Sequence, residues 1–209
     1  SRIDGTGLDA TGMEYEELNR GVLEAFRRSK EVTLINVNGQ RYVGVKAPRG
    51  TRLVVHGTPG NCLANYNEGA EIIVHGNAED DVGDVMQDGR VIIHGDARDV
   101  LGQALQGGEI FVKGNAGNRA GIQMREYQDR KPFLVVGNKA DDYFGEYMAG
   151  GVAMALGLGS LANGCACPAV GWYVATGMVG GRIYIRGHVP PSWVGLSPPT
   201  QDLLAYLEG

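Results

Sequence analysis

Cysteine, proline and aromatic residues are all scarce in this sequence of 209 residues, which contains 3 cysteines, 8 prolines and 7% aromatic residues. A collagen-like chain is excluded, because collagen needs abundant proline and a glycine at every third position. Three cysteines, an odd number, do not suggest the disulfide framework of a small secreted protein. No signal peptide precedes Ser1, and we therefore expect a cytoplasmic protein.

Positive charge is also limited in this chain. The formal net charge is −5, and no run of basic residues is present. This balance argues against a nucleic-acid partner, which would require a basic patch. With 43% hydrophobic and 21% charged residues, the composition is that of a folded chain rather than a disordered linker.

Charge of either sign is missing from one long stretch, Tyr147–Gly181, which is long enough to span a bilayer. Glycines, Pro168 and Asn163 interrupt this stretch, however, and its glycines continue a repeat that begins earlier in the chain. We therefore expect neither a membrane span nor a membrane partner.

Glycine is the residue in excess, with 34 copies. Four short apolar segments, LVVHG, IIVHG, VIIHG and IFVKG, each end on a glycine, and these glycines are 19 residues apart. Less regular copies follow later in the chain. The anchor glycines of the repeat are Gly57, Gly76, Gly95, Gly114, Gly137, Gly157 and Gly187. A period this short holds one β-segment and tight turns, but not two helices.

The repeat predicts an all-β fold, a single-stranded right-handed parallel β-helix of about 6–7 coils with an N-terminal capping helix. Residues four and two positions before each anchor glycine are apolar, as in Leu53 and Val55, which is strand alternation with one buried face. The predicted divisions are a cap at 1–35, the β-helix at 36–189, and a Pro-rich tail with a short C-terminal helix at 190–209.

Two local patterns precede the repeat. Helical spacing of apolar residues, such as Leu18, Val22 and Phe26, predicts a helix within residues 12–29 that covers the open end of the solenoid. Asn38 followed by Gly39 predicts a turn between the apolar segments VTLINV and QRYVGV.

Three histidines occupy the same place in successive coils, so His56, His75 and His94 should form one column that Lys113 continues. Neighbours about 4.8 Å apart could share a metal ion in pairs, but three stacked imidazoles cannot converge on one centre. The histidines also alternate with the inward apolar positions. We expect an outward polar row, and a metal site is the alternative.

The cysteines could form a cluster or a redox site, since Cys165 and Cys167 are close in sequence, with Cys62 distant. Their C-x-C spacing differs from the C-x-x-C of redox motifs, and three cysteines alone do not complete a tetrahedral site. We expect buried or loop thiols, with a metal or redox protein as the alternative. Asn and Asp residues that follow the anchor glycines are expected to stabilise turns.

The glycine segments resemble the C-terminal β-helix domain of the large subunit of glutamate synthase, known as the GXGXG domain, and a related repeat in formylmethanofuran dehydrogenase. The likeness covers roughly residues 36–187. It is carried by Gly57–Asn61, Gly76–Gly83, Gly107–Arg119, Gly145–Gly151 and Gly177–Gly181.

This resemblance implies a non-catalytic scaffold that holds a glutaminase domain and a domain carrying FMN and an iron–sulfur cluster, which together convert glutamine and 2-oxoglutarate to glutamate. It implies no catalytic residue, cofactor site or metal ligand in this chain, and catalysis only as part of the complex. The alternative within the scaffold class is a subunit of formylmethanofuran dehydrogenase type or of another glutamate synthase-like complex. Assembly of identical copies is left open.

The uncharged stretch Tyr147–Gly181 is the predicted docking face for the flavin-bearing partner, because uncharged coils are more often covered by protein than by water. Ala155 and Val174 are the predicted interface residues. The charged loop Arg125–Lys131, where four residues are inserted into the repeat, is expected to stay exposed.

Overall fold

The computed structural model describes residues 2–3, 6–164 and 167–195. Within them the strands are β1 (Arg2–Ile3), β2 (Gly7–Asp9), β3 (Glu31–Asn38), β4 (Arg52–Thr58), β5 (Glu68–His75), β6 (Asp88–Ile93), β7 (Glu109–Val112), β8 (Phe133–Val136), β9 (Ala149–Ala155) and β10 (Gly180–Ile185). Two α-helices, α1 (Tyr15–Phe26) and α2 (Leu158–Ala162), and a 3₁₀ turn at Pro191–Trp193 accompany them. The predicted C-terminal helix lies outside the described residues.

The strands form one sheet in chain order. β2 to β10 are all parallel, and only the pairing of β1 with β2 is antiparallel. Because each strand pairs with the strand of the next coil, the chain winds into a β-solenoid of about six turns. The predicted solenoid fold is confirmed.

The helix α1 closes the N-terminal end of the solenoid. Its buried residues Leu18, Val22 and Phe26 belong to the same apolar core as the strands. The capping helix is therefore confirmed, and it is shorter than the segment 12–29. Strand β3 continues the sheet across the predicted division at 35/36.

The chain bends at Gly39, between VTLINV and QRYVGV, but these two segments do not pair with each other as a hairpin. The first segment is β3, which pairs in parallel with β4, and the second segment forms no strand. Gly39 donates its backbone N–H to the carbonyl of Thr58 in the next coil at 2.8 Å. The strand β3 finds its hydrogen-bond partners in β4 of the following coil. A local hairpin would pair it antiparallel and would interrupt the parallel sheet.

The core is a set of columns that run from coil to coil. Leu53, Ile72, Val91 and Ile110 stand at paired positions of successive strands, and all four are fully buried. Within the described residues, no helix has both the length and the apolar character needed to cross a membrane. The uncharged stretch is instead made of β9, α2 and the coil that leads to β10.

Candidate functional site

Each coil contains a five-residue turn segment in which alternate residues adopt the left-handed conformation. In the segment Asp81–Val85, φ is +61° at Asp81, +72° at Gly83 and +53° at Val85. Asp81 and Val85 donate their backbone N–H groups to the next coil, whereas Gly83 donates to Leu63 in the preceding coil. The other turn segments with this pattern are Tyr42–Lys46, Cys62–Tyr66, Val100–Ala104, Arg119–Gln123, Tyr143–Tyr147 and Tyr173–Gly177.

Most anchor glycines lie where the backbones of successive coils approach closely. A Cβ atom on Gly76 would overlap the carbonyl oxygen of Gly57, and one on Gly137 would overlap that of Lys113. Three anchor glycines, Gly57, Gly157 and Gly187, also have positive φ values, of 123°, 58° and 91°. Most anchor glycines are therefore required by backbone contact between coils.

Side-chain ladders of Asn and Asp join the coils. Oδ1 of Asn77 accepts the backbone N–H of Asp96 at 2.9 Å, and Oδ1 of Asp96 accepts that of Asn115 at 2.7 Å. A second ladder runs through Asp99, whose Oδ1 accepts the backbone N–H of Asn118 at 2.8 Å. The sequence pattern predicts bonds within each turn, but these side chains bond the neighbouring coil instead.

The three histidines form one column, at the positions that the sequence predicts. The rings of His56 and His75 lie 4.8 Å apart with an interplanar angle of 19°, and those of His75 and His94 lie 4.8 Å apart at 13°. All three side chains and Lys113 are exposed. Because the rings are stacked face to face, their nitrogens lie side by side and do not converge on a common centre.

An aromatic surface covers the coils nearest the C-terminal end of the described chain. It consists of Tyr143, Tyr147, Trp172, Tyr173 and Trp193. The rings of Tyr143 and Tyr173 stack at 4.9 Å, and those of Trp172 and Trp193 lie 4.6 Å apart. Tyr147, Trp172 and Tyr173 are each about half exposed, at 53%, 48% and 51%.

A charged pair borders this aromatic surface. The guanidinium of Arg119 lies 4.5 Å from the ring centroid of Tyr143, and its Nε contacts Oε2 of Glu146 at 3.0 Å. Glu146 is only 7% exposed. Paired in this way, Glu146 can be buried beside the aromatic rings, and the Arg119 cation stabilises one of them.

Comparison with known proteins identifies the family of this chain. The GXGXG motif family matches residues 18–190. The chain belongs to the GXGXG family. It is 41% identical over 200 residues to the uncharacterized protein MJ1350 of Methanocaldococcus jannaschii, and the match covers 93% of this chain and 76% of the relative. None of the solved structures matches the chain at a significant level.

The predicted interface residues of this GXGXG chain are buried within the chain itself. Ala155 is fully buried and Val174 is 3% exposed, so both side chains point into the core. These two residues are uncharged because they fill the interior of the solenoid itself. The exposed side chains of the uncharged stretch include Tyr147, Trp172 and Tyr173, which the sequence argument missed. Tyr143 and Tyr173 hold the same position in successive turn segments, although they are separated by more than one period of the repeat.

The cysteines of the GXGXG chain form no described cluster. Cys165 lies outside the described residues, and Cys167 is exposed and disulfide-bonded. Cys62 is a free thiol whose Sγ donates to Oδ2 of Asp81 at 3.2 Å. Burial, with a further contribution from Asp81, raises the pKa of Cys62 to about 11. The thiol therefore stays protonated near neutral pH and is a poor nucleophile.

The charged loop Arg125–Lys131 is mostly exposed, but it folds back on the neighbouring coils. Arg130 donates to the backbone oxygen and to Oε1 of Gln87, both at 3.3 Å, and its guanidinium lies 5.3 Å from the ring of Tyr127. The loop thereby forms one wall of a shallow groove of about 490 Å³ whose floor includes Gly89 and Gly108. Acidic and basic groups are mixed in this groove, so its charge selects no single class of ligand.

The carboxylate of Asp84 destabilises the folded chain when it is ionised. Its Oδ1 is shielded from solvent and has no hydrogen-bond partner among the described residues. Burial, and then the nearby charge of Asp81, raise the pKa of Asp84. Because the pKa of Asp84 is raised in the folded state, the free energy of unfolding falls as the pH rises through that pKa. The loss of stability is absent at pH values below the usual pKa range of an aspartate.

We expect Asp84→Asn to raise the melting temperature at pH 7 and to leave it almost unchanged near pH 3, where Asp84 of the wild type is already protonated. Asparagine stands at the equivalent position of the preceding coil, Asn65, so the substitution suits the site. Thermal unfolding at both pH values, followed by circular dichroism, measures the effect. Equal shifts at the two pH values would contradict the electrostatic explanation.

Proposed function

We propose that this chain is a non-catalytic scaffold of a glutamate synthase or a glutamate synthase-like complex. In this proposal it holds a glutaminase module and a module with FMN and an iron–sulfur cluster, and it binds neither cofactor itself. Membership of the GXGXG family and the resemblance of its glycine segments to the glutamate synthase β-helix domain support the complex.

The observation that carries the scaffold role is the aromatic surface. Tyrosine and tryptophan are enriched in protein–protein interfaces and often dominate the binding energy. Here they are gathered on the outside of a rigid body, because the turn segments that carry Tyr143, Tyr147 and Tyr173 are hydrogen-bonded to the coils on both sides. A rigid surface of this kind binds a partner with little loss of conformational entropy.

The polar columns of the solenoid fit the same role. The Asn and Asp ladders are used in hydrogen bonds between coils, and the histidines stack along the outer surface. These groups stabilise the stacking rather than surround a substrate. The chain therefore contributes shape and surface, and chemistry belongs to the modules that it joins.

The direct test is reconstitution. The chain is co-expressed with the glutaminase and flavin/iron–sulfur polypeptides of the same organism, and the complex is isolated by size exclusion with light scattering. We expect all components in one complex, with glutamine-dependent formation of glutamate from 2-oxoglutarate that falls when this chain is left out. Failure of the chain to bind either polypeptide would overturn the proposal, as would selective assembly with a formylmethanofuran dehydrogenase.

A substitution at the aromatic surface tests how the scaffold binds. We expect Tyr147→Asp to weaken binding of the catalytic polypeptides by about tenfold or more, as loss of an interface anchor does. Tyr66→Asp is the matched control, because Tyr66 ends another turn segment, has a similar φ of +58° against +52°, and is 55% exposed. Tyr66 lies four coils away, about 19 Å along the solenoid. Equal losses in both variants, measured by interferometry, would exclude the aromatic surface as the contact.

A further inference from the structure

The outer face of the parallel sheet carries a second apolar surface. In each strand the residue between the two inward positions points outward, and these residues are paired from strand to strand. Their side chains are partly exposed and do not belong to the core. The sheet face, as defined by this column, consists of Val54, Ile73, Ile92, Phe111, Val135, Met154 and Tyr184.

The strand sequences have the pattern of a sheet that is covered on both sides. Segments such as Leu53–Val55, Ile72–Val74 and Val91–Ile93 are apolar at consecutive positions. Such runs are typical of parallel sheets whose two faces are both buried, whereas a sheet with one wet face alternates apolar and polar residues. Inward residues are covered by the core, but the described part of the chain places nothing over the outward column.

The size of the sheet face matches a protein interface. Seven paired strands at about 4.8 Å give a column about 29 Å long. With the outward residues on either side of the column, the face covers roughly 600–700 Å², close to the ~800 Å² that each partner contributes to an interface of ordinary size. A small ligand would leave most of this area uncovered.

The two borders of the sheet face carry different charge. On one border, acidic and basic residues alternate and pair with one another, as in the contact of Arg52 Nε with Glu71 Oε2 at 2.6 Å and of Arg90 Nη2 with Glu109 Oε2 at 2.6 Å. The other border is His56, His75, His94 and Lys113, with no acidic residue among them. The first border is already neutralised, and the second is open to carboxylates of a partner.

We propose that the sheet face is a second docking surface, occupied by a catalytic module. The apolar patch of that module is bordered by carboxylates that face the border formed by His56, His75, His94 and Lys113. This inference rests on the proposed scaffold function, since a scaffold that joins two modules needs two surfaces. A second copy of the chain fits less well. If the solenoid axes of two copies run antiparallel across a two-fold axis, the His and Lys border faces the same border of the other copy. If the axes run parallel, it faces the border whose charges are already paired.

The test measures binding of the glutaminase polypeptide and of the flavin/iron–sulfur polypeptide separately, by interferometry and light scattering. Ile92→Glu places a charge at the centre of the sheet face, and we expect it to weaken binding of one polypeptide by about 30-fold or more. Lys113→Glu should weaken the same interaction about fivefold and reduce its salt dependence. Tyr66→Asp, which adds the same charge on a turn segment, should change neither interaction.

The outcomes separate the inference from the proposed function. If wild-type chain binds neither polypeptide, the scaffold function itself fails. If wild type binds and Ile92→Glu binds equally well, the sheet face is not a docking surface, while the scaffold function stands. If wild type is a dimer that Ile92→Glu converts to a folded monomer with unchanged binding, a second copy occupies the face and the proposal is overturned. Ile92→Thr, which keeps β-propensity, provides a second variant if the glutamate impairs folding.

Discussion

Gly76→Ala is expected to destabilise the solenoid by about 3 kcal/mol or more, since the clash is with backbone rather than with a movable side chain. The added Cβ would overlap the carbonyl oxygen of Gly57. Gly76 also accepts the backbone N–H of Gly95 at 2.9 Å, so a shift of this residue disturbs the coils on both sides. Chemical denaturation at 25 °C measures the loss.

Gly21→Ala is the matched control for this prediction. Gly21 lies inside α1, and its added Cβ would sit 3.4 Å from Leu8 Cδ1, an ordinary contact. The same chemical change should therefore stabilise the protein by about 0.5–1 kcal/mol, because alanine favours the helix. Similar losses in the two variants would show that close approach of the coils is not what requires Gly76.

Ala155→Glu is expected to destabilise the fold by about 3–5 kcal/mol or more, because it buries an unpaired carboxylate in the core. Ala155 is fully buried in β9, between Val136 of β8 and Ile185 of β10. The measured result should be a lower unfolding midpoint or insoluble protein. This variant reports on the core and not on a docking surface.

Met154→Glu places the same carboxylate one residue earlier in β9. Met154 points outward, between Val135 and Tyr184, so the charge stays in contact with water and the stability should change by less than about 1 kcal/mol. Circular dichroism and thermal unfolding compare the two variants. If both unfold the chain, the inward and outward assignment of β9 is incorrect.

The solenoid could be predicted from the sequence because its coils repeat. Translation by one coil brings equivalent residues into register, so a spacing of 19 residues predicts which residues lie in one column without any knowledge of the coil's path. The histidine column and the apolar strand positions were predictable for this reason. The partner of β3 was not predictable, because Asn38 and Gly39 carry a hairpin signal, whereas β3 pairs in parallel with β4.

The docking residues could not be predicted in the same way. Absence of charge does not distinguish a side chain buried in its own core, such as Ala155, from one on an exposed surface, such as Tyr173. The turn segments add to the difficulty. Tyr143 and Tyr147 adopt left-handed conformations and donate their backbone N–H groups to Trp172 and Thr176 of the next coil, and these bonds are not visible in a local motif.

The sequence by itself determined the period, the strand in each coil and the columns in which residues stack, because stacking follows from the repeat alone. Tertiary structure decided which side chains between the strands face the core and which face water, since this depends on how each coil turns between its strands. It also brought Trp172 and Trp193 into contact from separate segments outside the strands. A column is a property of spacing, but a surface is a property of the path of the chain.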